Sequence, residues 1–148
     1  ILSDVTRCDW VPSVSEIKIE GDCRLFEMDG MGVVKEKILK NDRDNKLLQY
    51  SAVETRTPIN HHLATMNVQF INDESCKLIW TTEIEPEIFA EAIHHGMLIS
   101  IEGIKQVWSI ANGNITLGCD GKQAGLQSLD ITKHTTTCIQ QSFDLFSS

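Results

Sequence analysis

Apolar and polar residues alternate at a period of two over much of the first half of the chain, the signature of half-buried strands. Residues 14–20 place Ile17 and Ile19 on one face and Glu16, Lys18 and Glu20 on the other, and Gly21-Asp22 marks a turn. Asp29-Gly30 then opens a hairpin between residues 23–28 and 32–40. Charge decides its register. A two-residue loop sets Arg24 opposite Lys35, whereas a three-residue loop, Asp29-Gly30-Met31, sets Arg24 opposite Glu36 and Phe26 opposite Val34. Opposite charges facing one another are worth roughly 0.2–1 kcal/mol and like charges cost a similar amount, so the second register is expected. It puts Arg24, Phe26, Met28, Val34, Glu36 and Ile38 on one face.

Residues 41–45 (NDRDN) form a polar loop, and residues 47–54 alternate imperfectly. Setting Ile38 opposite Leu48 brings Glu36 opposite Tyr50 and Val34 opposite Ala52. After a break at residues 57–60, His62, Ala64, Met66, Val68 and Phe70 share a dry face and Thr65, Asn67 and Gln69 a wet one. Across the turn at residues 72–75, Cys76, Leu78, Trp80, Thr82 and Ile84 continue the dry face, with Phe70 near Cys76 and Met66 near Trp80. The period then changes. Pro86 suits a first helical position, and Ile88, Phe89, Ala92, Ile93, Gly96, Met97, Ser100 and Ile104 recur at helical spacing. A helix over residues 87–106 is roughly 30 Å long at 1.5 Å per residue. Gly96 and Gly103 interrupt it, each at a cost of about 1 kcal/mol relative to Ala, and are expected to permit close packing or a bend.

The two ends are less regular. Ser3 and Pro12 bracket an expected short helix or helix pair over residues 2–14. Residues 107–148 are rich in Thr, Ser, Gln and Gly and keep no amphipathic period, so they are expected to form an irregular or partly disordered tail. Within it, residues 114–117 and 136–139 have the composition of short strands.

At 148 residues a single core is sufficient, and 41% hydrophobic with 23% charged residues is ordinary for a globular protein. A formal net charge of -8 argues against binding a phosphate backbone, so no nucleic-acid partner is expected. No apolar run reaches the ~18 residues of a membrane span. Five cysteines, an odd number without a CxxC spacing, argue against zinc or a disulfide framework and for a cytoplasmic setting. No cofactor and no metal site is expected.

The order of Asp4, Trp10-Val11-Pro12-Ser13-Val14, Gly21-Asp22, Arg24, Gly32, Glu36-Lys37-Ile38, Asp42, Leu48-Gln49-Tyr50-Ser51, Pro58, Trp80 and the helix after Pro86 resembles the START and birch-pollen-allergen superfamily (SRPBCC). Within it the resemblance is to the polyketide cyclase/dehydrase and lipid-transport type. It implies an α+β helix-grip fold: a bent antiparallel sheet wrapped around a long C-terminal helix, with a cavity between them. The resemblance covers residues 1–106, taken as a ligand-binding domain, with residues 107–148 as the tail. The family's usual first strand has no counterpart here, so an N-terminally truncated domain with an open edge beside residues 76–84 is expected.

Three groups of residues bear on chemistry. Arg24, Glu36 and Tyr50 share one face of adjacent strands, as a polar cluster that orients a ligand carbonyl or carboxylate or as a structural ion pair with a tyrosine partner. Met28, Met66, Phe70, Trp80 and Phe89, with Phe26, Val34 and Met97, are an apolar set suited to lining a pocket or filling a core. His62, opposite Glu54 in the expected register, is a candidate general base with its orienting carboxylate, or a pocket-rim histidine. The reading is a protein that binds a hydrophobic small molecule or lipid. The alternatives are a cyclase, aromatase or dehydratase using His62 and Glu54, and a non-catalytic interaction module.

Overall fold

Among the described residues eight strands form one antiparallel sheet: β1 (Lys18–Glu20), β2 (Cys23–Met28), β3 (Gly32–Asp42), β4 (Leu47–Glu54), β5 (His61–Asn72), β6 (Ser75–Glu85), β7 (Thr132–Lys133) and β8 (Thr137–Asp144). The computed structural model describes residues 1–11, 13–72, 75–111, 132–133 and 137–144. The strands lie in the order β1-β2-β3-β4-β5-β6-β8-β7. A 3-10 turn, Glu87–Phe89, leads into one helix, α1 (Ala90–Ala111). Among the described residues no helix is long and apolar enough to cross a membrane.

The expected α+β helix-grip architecture is therefore corrected. The protein is mostly β, and a bent sheet wrapped around a long C-terminal helix is not what the chain forms. The one described α-helix has 22 residues and is followed in the chain by two further strands. The sheet edge expected to lie open beside β6 is occupied, because β8 pairs with β6 from Lys77↔Asp144 to Ile84↔Thr137. The physical reason is the hydrogen-bonding demand of β6. Its outward N–H and C=O groups need partners, and Thr137, Ile139 and Phe143 belong to the residue types that suit a strand. Residues 114–117 lie outside the described residues. A boundary at residue 106 would fall within α1. Deleting residues from 137 onward should re-expose the β6 edge and lower the melting temperature by on the order of 5 °C, which a thermal unfolding scan of the shortened chain reads directly.

The first hairpin has the register that charge predicts: Arg24↔Glu36 and Phe26↔Val34, closed by Asp29-Gly30-Met31. Gly30 and Gly32 have φ of 80° and 73°, a region that other residues rarely enter. The expected β3–β4 register is shifted by two. Glu36 faces Ala52 and Ile38 faces Tyr50, with irregularities at Lys35/Glu36 and Ile38/Lys40. The turn sets this. Asp42 accepts from the Asn45 N–H at 3.0 Å and from Asn45 Nδ2 at 2.8 Å, which fastens Asp42 opposite Leu47. A slip of two keeps every side chain on its face, so the dry face survives the error. β5 and β6 pair as expected, with Met66↔Trp80 and Phe70↔Cys76.

Residues 2–11 form turns rather than the expected helix. Asp4 accepts from the Thr6 N–H at 3.1 Å, an Asx-type bond that competes with helical continuation. The segment nevertheless packs inward. Trp10, Leu48, Tyr50, Ala64, Met66, Leu78, Trp80, Met97, Ile101 and Ile104 make the main core, between one face of the sheet and α1.

Candidate functional site

Strands β2 to β6 send alternate side chains towards α1, and the space between them is not filled everywhere. A cavity of about 460 Å³ remains. Its wall includes Phe26, Met28 and Val34 from β2 and β3, Tyr50 and Ala52 from β4, His62 from β5, and Trp80, Thr82 and Ile84 from β6. Phe89, Ala92, Ile93, Gly96, Met97 and Ser100 close it from the helical side, and Trp10 and Val11 from the N-terminal segment. A second cavity of about 340 Å³ lies among Leu2, Leu48, Met66, Val68, Phe70, Cys76 and Ile104. The larger one holds the polar cluster and is the candidate site.

Arg24 and Glu36 stand in that wall, 4% and 8% exposed. Arg24 Nε donates to Glu36 Oε2 at 2.6 Å. The guanidinium carbon sits 4.6 Å from the centre of the Tyr50 ring and 5.9 Å from that of Phe26, so the cation is sandwiched by aromatic groups as well as paired. Burial pushes the Glu36 carboxyl up while Arg24 pulls it back. The 2.6 Å contact with Arg24 favours the charged pair against that rise. Burial, and then the Glu36 charge, push the Tyr50 phenol far above its usual range, so Tyr50 stays a neutral hydroxyl. The Trp80 indole is near enough to the Tyr50 oxygen to favour its phenolate slightly. It forms no hydrogen bond there, and the N–H groups of Trp10 and Trp80 are both buried without a partner among the described residues.

His62 is in the wall, but not as expected. The β4–β5 ladder runs from Leu47↔Asn67 to Tyr50↔Ala64. Beyond its end the Ala52 N–H donates to His62 Nδ1 at 2.9 Å. An acceptor at Nδ1 puts the proton of the neutral ring on Nε2. Glu54 is not beside it. That residue is exposed and pairs across β3 with Lys35. The expected His62–Glu54 base pair is thus not assembled, because the β4–β5 register, two residues from the expected one, sets Ala52 rather than Glu54 across from His62. His61 points to the other face and meets Glu83 at 2.8 Å. Burial, with a smaller contribution from His61, drives His62 down from 6.5 to about 4. Its folded-state value is below its unfolded one, so the stability it confers is present above pH 6.5 and is lost as pH falls towards 4. The loss should be about 1–3 kcal/mol. His62→Gln should flatten the pH dependence of urea unfolding across that interval.

Of the other residues singled out by sequence, Phe26, Met28, Val34, Trp80, Phe89 and Met97 line the larger cavity, while Met66 and Phe70 line the smaller one. Sequence reasoning did not single out Trp10, Ala52, Thr82, Ile93 or Ser100 for the site. Thr82 and Ser100 carry a readable signal, being polar residues in phase with an apolar face. Trp10 carries none, since it lies in an irregular segment.

No family model and no curated protein matches the sequence. Among solved structures the chain is similar to that of the protein XoxI from Bacillus cereus, with 18% identity and a TM-score of 0.61 over 71% of this chain and 80% of that one. At this identity the likeness concerns the fold alone.

Proposed function

We propose that the protein binds a hydrophobic small molecule or lipid in the cavity between the sheet and α1. The observation that carries this is the 460 Å³ space itself, apolar over most of its wall and furnished with one buried polar cluster. Small-molecule sites have this form, roughly 300–1,000 Å³ of mostly apolar lining with a few placed polar groups. A buried ion pair is an expensive way to fill a core, and a hydrophobic replacement is often at least as stable, so Arg24 and Glu36 are better understood as groups that meet a ligand. The resemblance of the sequence to the START and birch-pollen-allergen superfamily belongs to the same proposal and favours the same class of ligand. So does a cytoplasmic setting, which suits the free thiols of Cys8, Cys23 and Cys76.

Gly96 offers a direct test. It lines the cavity, and a Cβ built there meets nothing within 4 Å. Gly96→Phe should occupy the space and lower Nile red uptake at least tenfold while unfolding cooperatively near the wild-type temperature. Undiminished uptake by a folded Gly96→Phe protein would place the dye elsewhere and remove the proposal.

A further inference from the structure

Resting on the cavity reading, we infer that the ligand is an uncharged molecule whose apolar body carries a carbonyl or hydroxyl oxygen, and that His62 Nε2–H and the Arg24 terminal nitrogens recognise that oxygen. The inference comes from a census of the wall. Glu36 takes Arg24 Nε, and the rest of the guanidinium lies against Tyr50, its carbon 4.6 Å from the ring centre. His62 Nδ1 is already an acceptor for Ala52, so the ring can only donate through Nε2, which has no partner among the described residues. The indole N–H groups of Trp10 and Trp80 are further unpartnered donors in the same wall. Against these stand the Glu36 carboxylate, one oxygen of which is engaged, and the Tyr50, Thr82 and Ser100 hydroxyls, which donate as well as accept. The two indole N–H groups are buried without a partner among the described residues, unsatisfied donors call for an acceptor, and an oxygen of the ligand is the acceptor that completes this wall.

Charge then selects between kinds of oxygen. Arg24 and Glu36 cancel one another, Asp29 and Arg56 add one charge of each sign to the lining, and His62 is neutral. A carboxylate entering this space finds no surplus cation and lies near Glu36. Burying a charge without its own counter-charge is costly, whereas a carbonyl accepts the same donors without that cost.

Two congeners of equal chain length, methyl decyl ketone and dodecanoate, titrated against bound Nile red separate the outcomes. The ketone should displace the dye at a concentration at least tenfold lower than dodecanoate. His62→Val should reduce that ratio to near one, and His62→Gln, which keeps an acceptor for Ala52 and a donor for the ligand, should restore most of it. Equal or stronger displacement by dodecanoate overturns the inference while leaving the cavity reading intact. So does a ratio unchanged in His62→Val and in Arg24→Lys, the second variant guarding against misfolding of the first. Failure of Nile red itself to bind overturns both.

Discussion

Replacing Arg24 by Met should lower the stability of the protein by about 3–5 kcal/mol, the largest effect expected of any substitution in the cavity wall. The loss does not come from the missing attraction alone. It comes from Glu36, 8% exposed, left without the cation that offsets its desolvation. Removing both charges with Arg24→Met and Glu36→Leu should therefore recover most of the loss, because the space is then apolar throughout. A urea double-mutant cycle reads this coupling. The single variant also has a pH signature. Burial already pushes the Glu36 carboxyl up, and without Arg24 nothing pulls it back. A carboxyl whose folded value is raised contributes stability below its unfolded value and loses it as pH rises through the folded one. His62 is present in both proteins, so Arg24→Met should lose less stability than the wild type on acidification from neutral pH.

Gly103→Ala and Gly96→Ala should change stability in opposite directions, although both replace a helical glycine. A Cβ at Gly103 would lie 2.4 Å from the Trp10 carbonyl oxygen, a backbone atom. Trp10 cannot retreat without leaving the core it shares with Trp80, whose ring centre is 6.3 Å from its own. The strain should cost about 1–3 kcal/mol. At Gly96 the added methyl has free space and the helix gains propensity, so Ala should stabilise by up to about 1 kcal/mol. Equal shifts in the midpoints of denaturant unfolding would show that α1 does not rest on the Trp10 backbone as described.

The two glycines also show what the sequence makes legible. Their presence in a helical run announces an interruption, but only the position of Trp10 separates the tight one from the open one. The dry face of β2 to β6 is readable because alternation is local and the burial it reports is one-sided. The Arg24↔Glu36 register is readable because a charge pair discriminates between two loops. The β3–β4 register is not, since it depends on how Asp42 binds Asn45, a turn geometry that hydrophobic pattern does not encode. The β4–β5 register is likewise two residues from the expected one, and that separates Glu54 from His62. The mostly-β character was missed for a similar reason. Residues 137–144 have little periodicity of their own, and their place as β8 depends on the edge of β6, which lies more than fifty residues earlier in the chain. Within the site, the Arg24, Glu36 and Tyr50 cluster was visible, because paired charges in phase with an apolar face stand out. The role of His62 was half visible: its face follows from alternation, its tautomer only from the end of the β4–β5 ladder.

The central claim is that ligand occupies the space between the sheet and α1, and methyl-resolved NMR during a titration with methyl decyl ketone tests it most directly. The predicted result is a set of saturable shifts confined to Met28, Val34, Ala52, Ile84, Ile93 and Met97, all on the cavity wall, and abolished in Gly96→Phe. Shifts centred instead on Val33, Leu39 and Val53, exposed on β3 and β4, would contradict it.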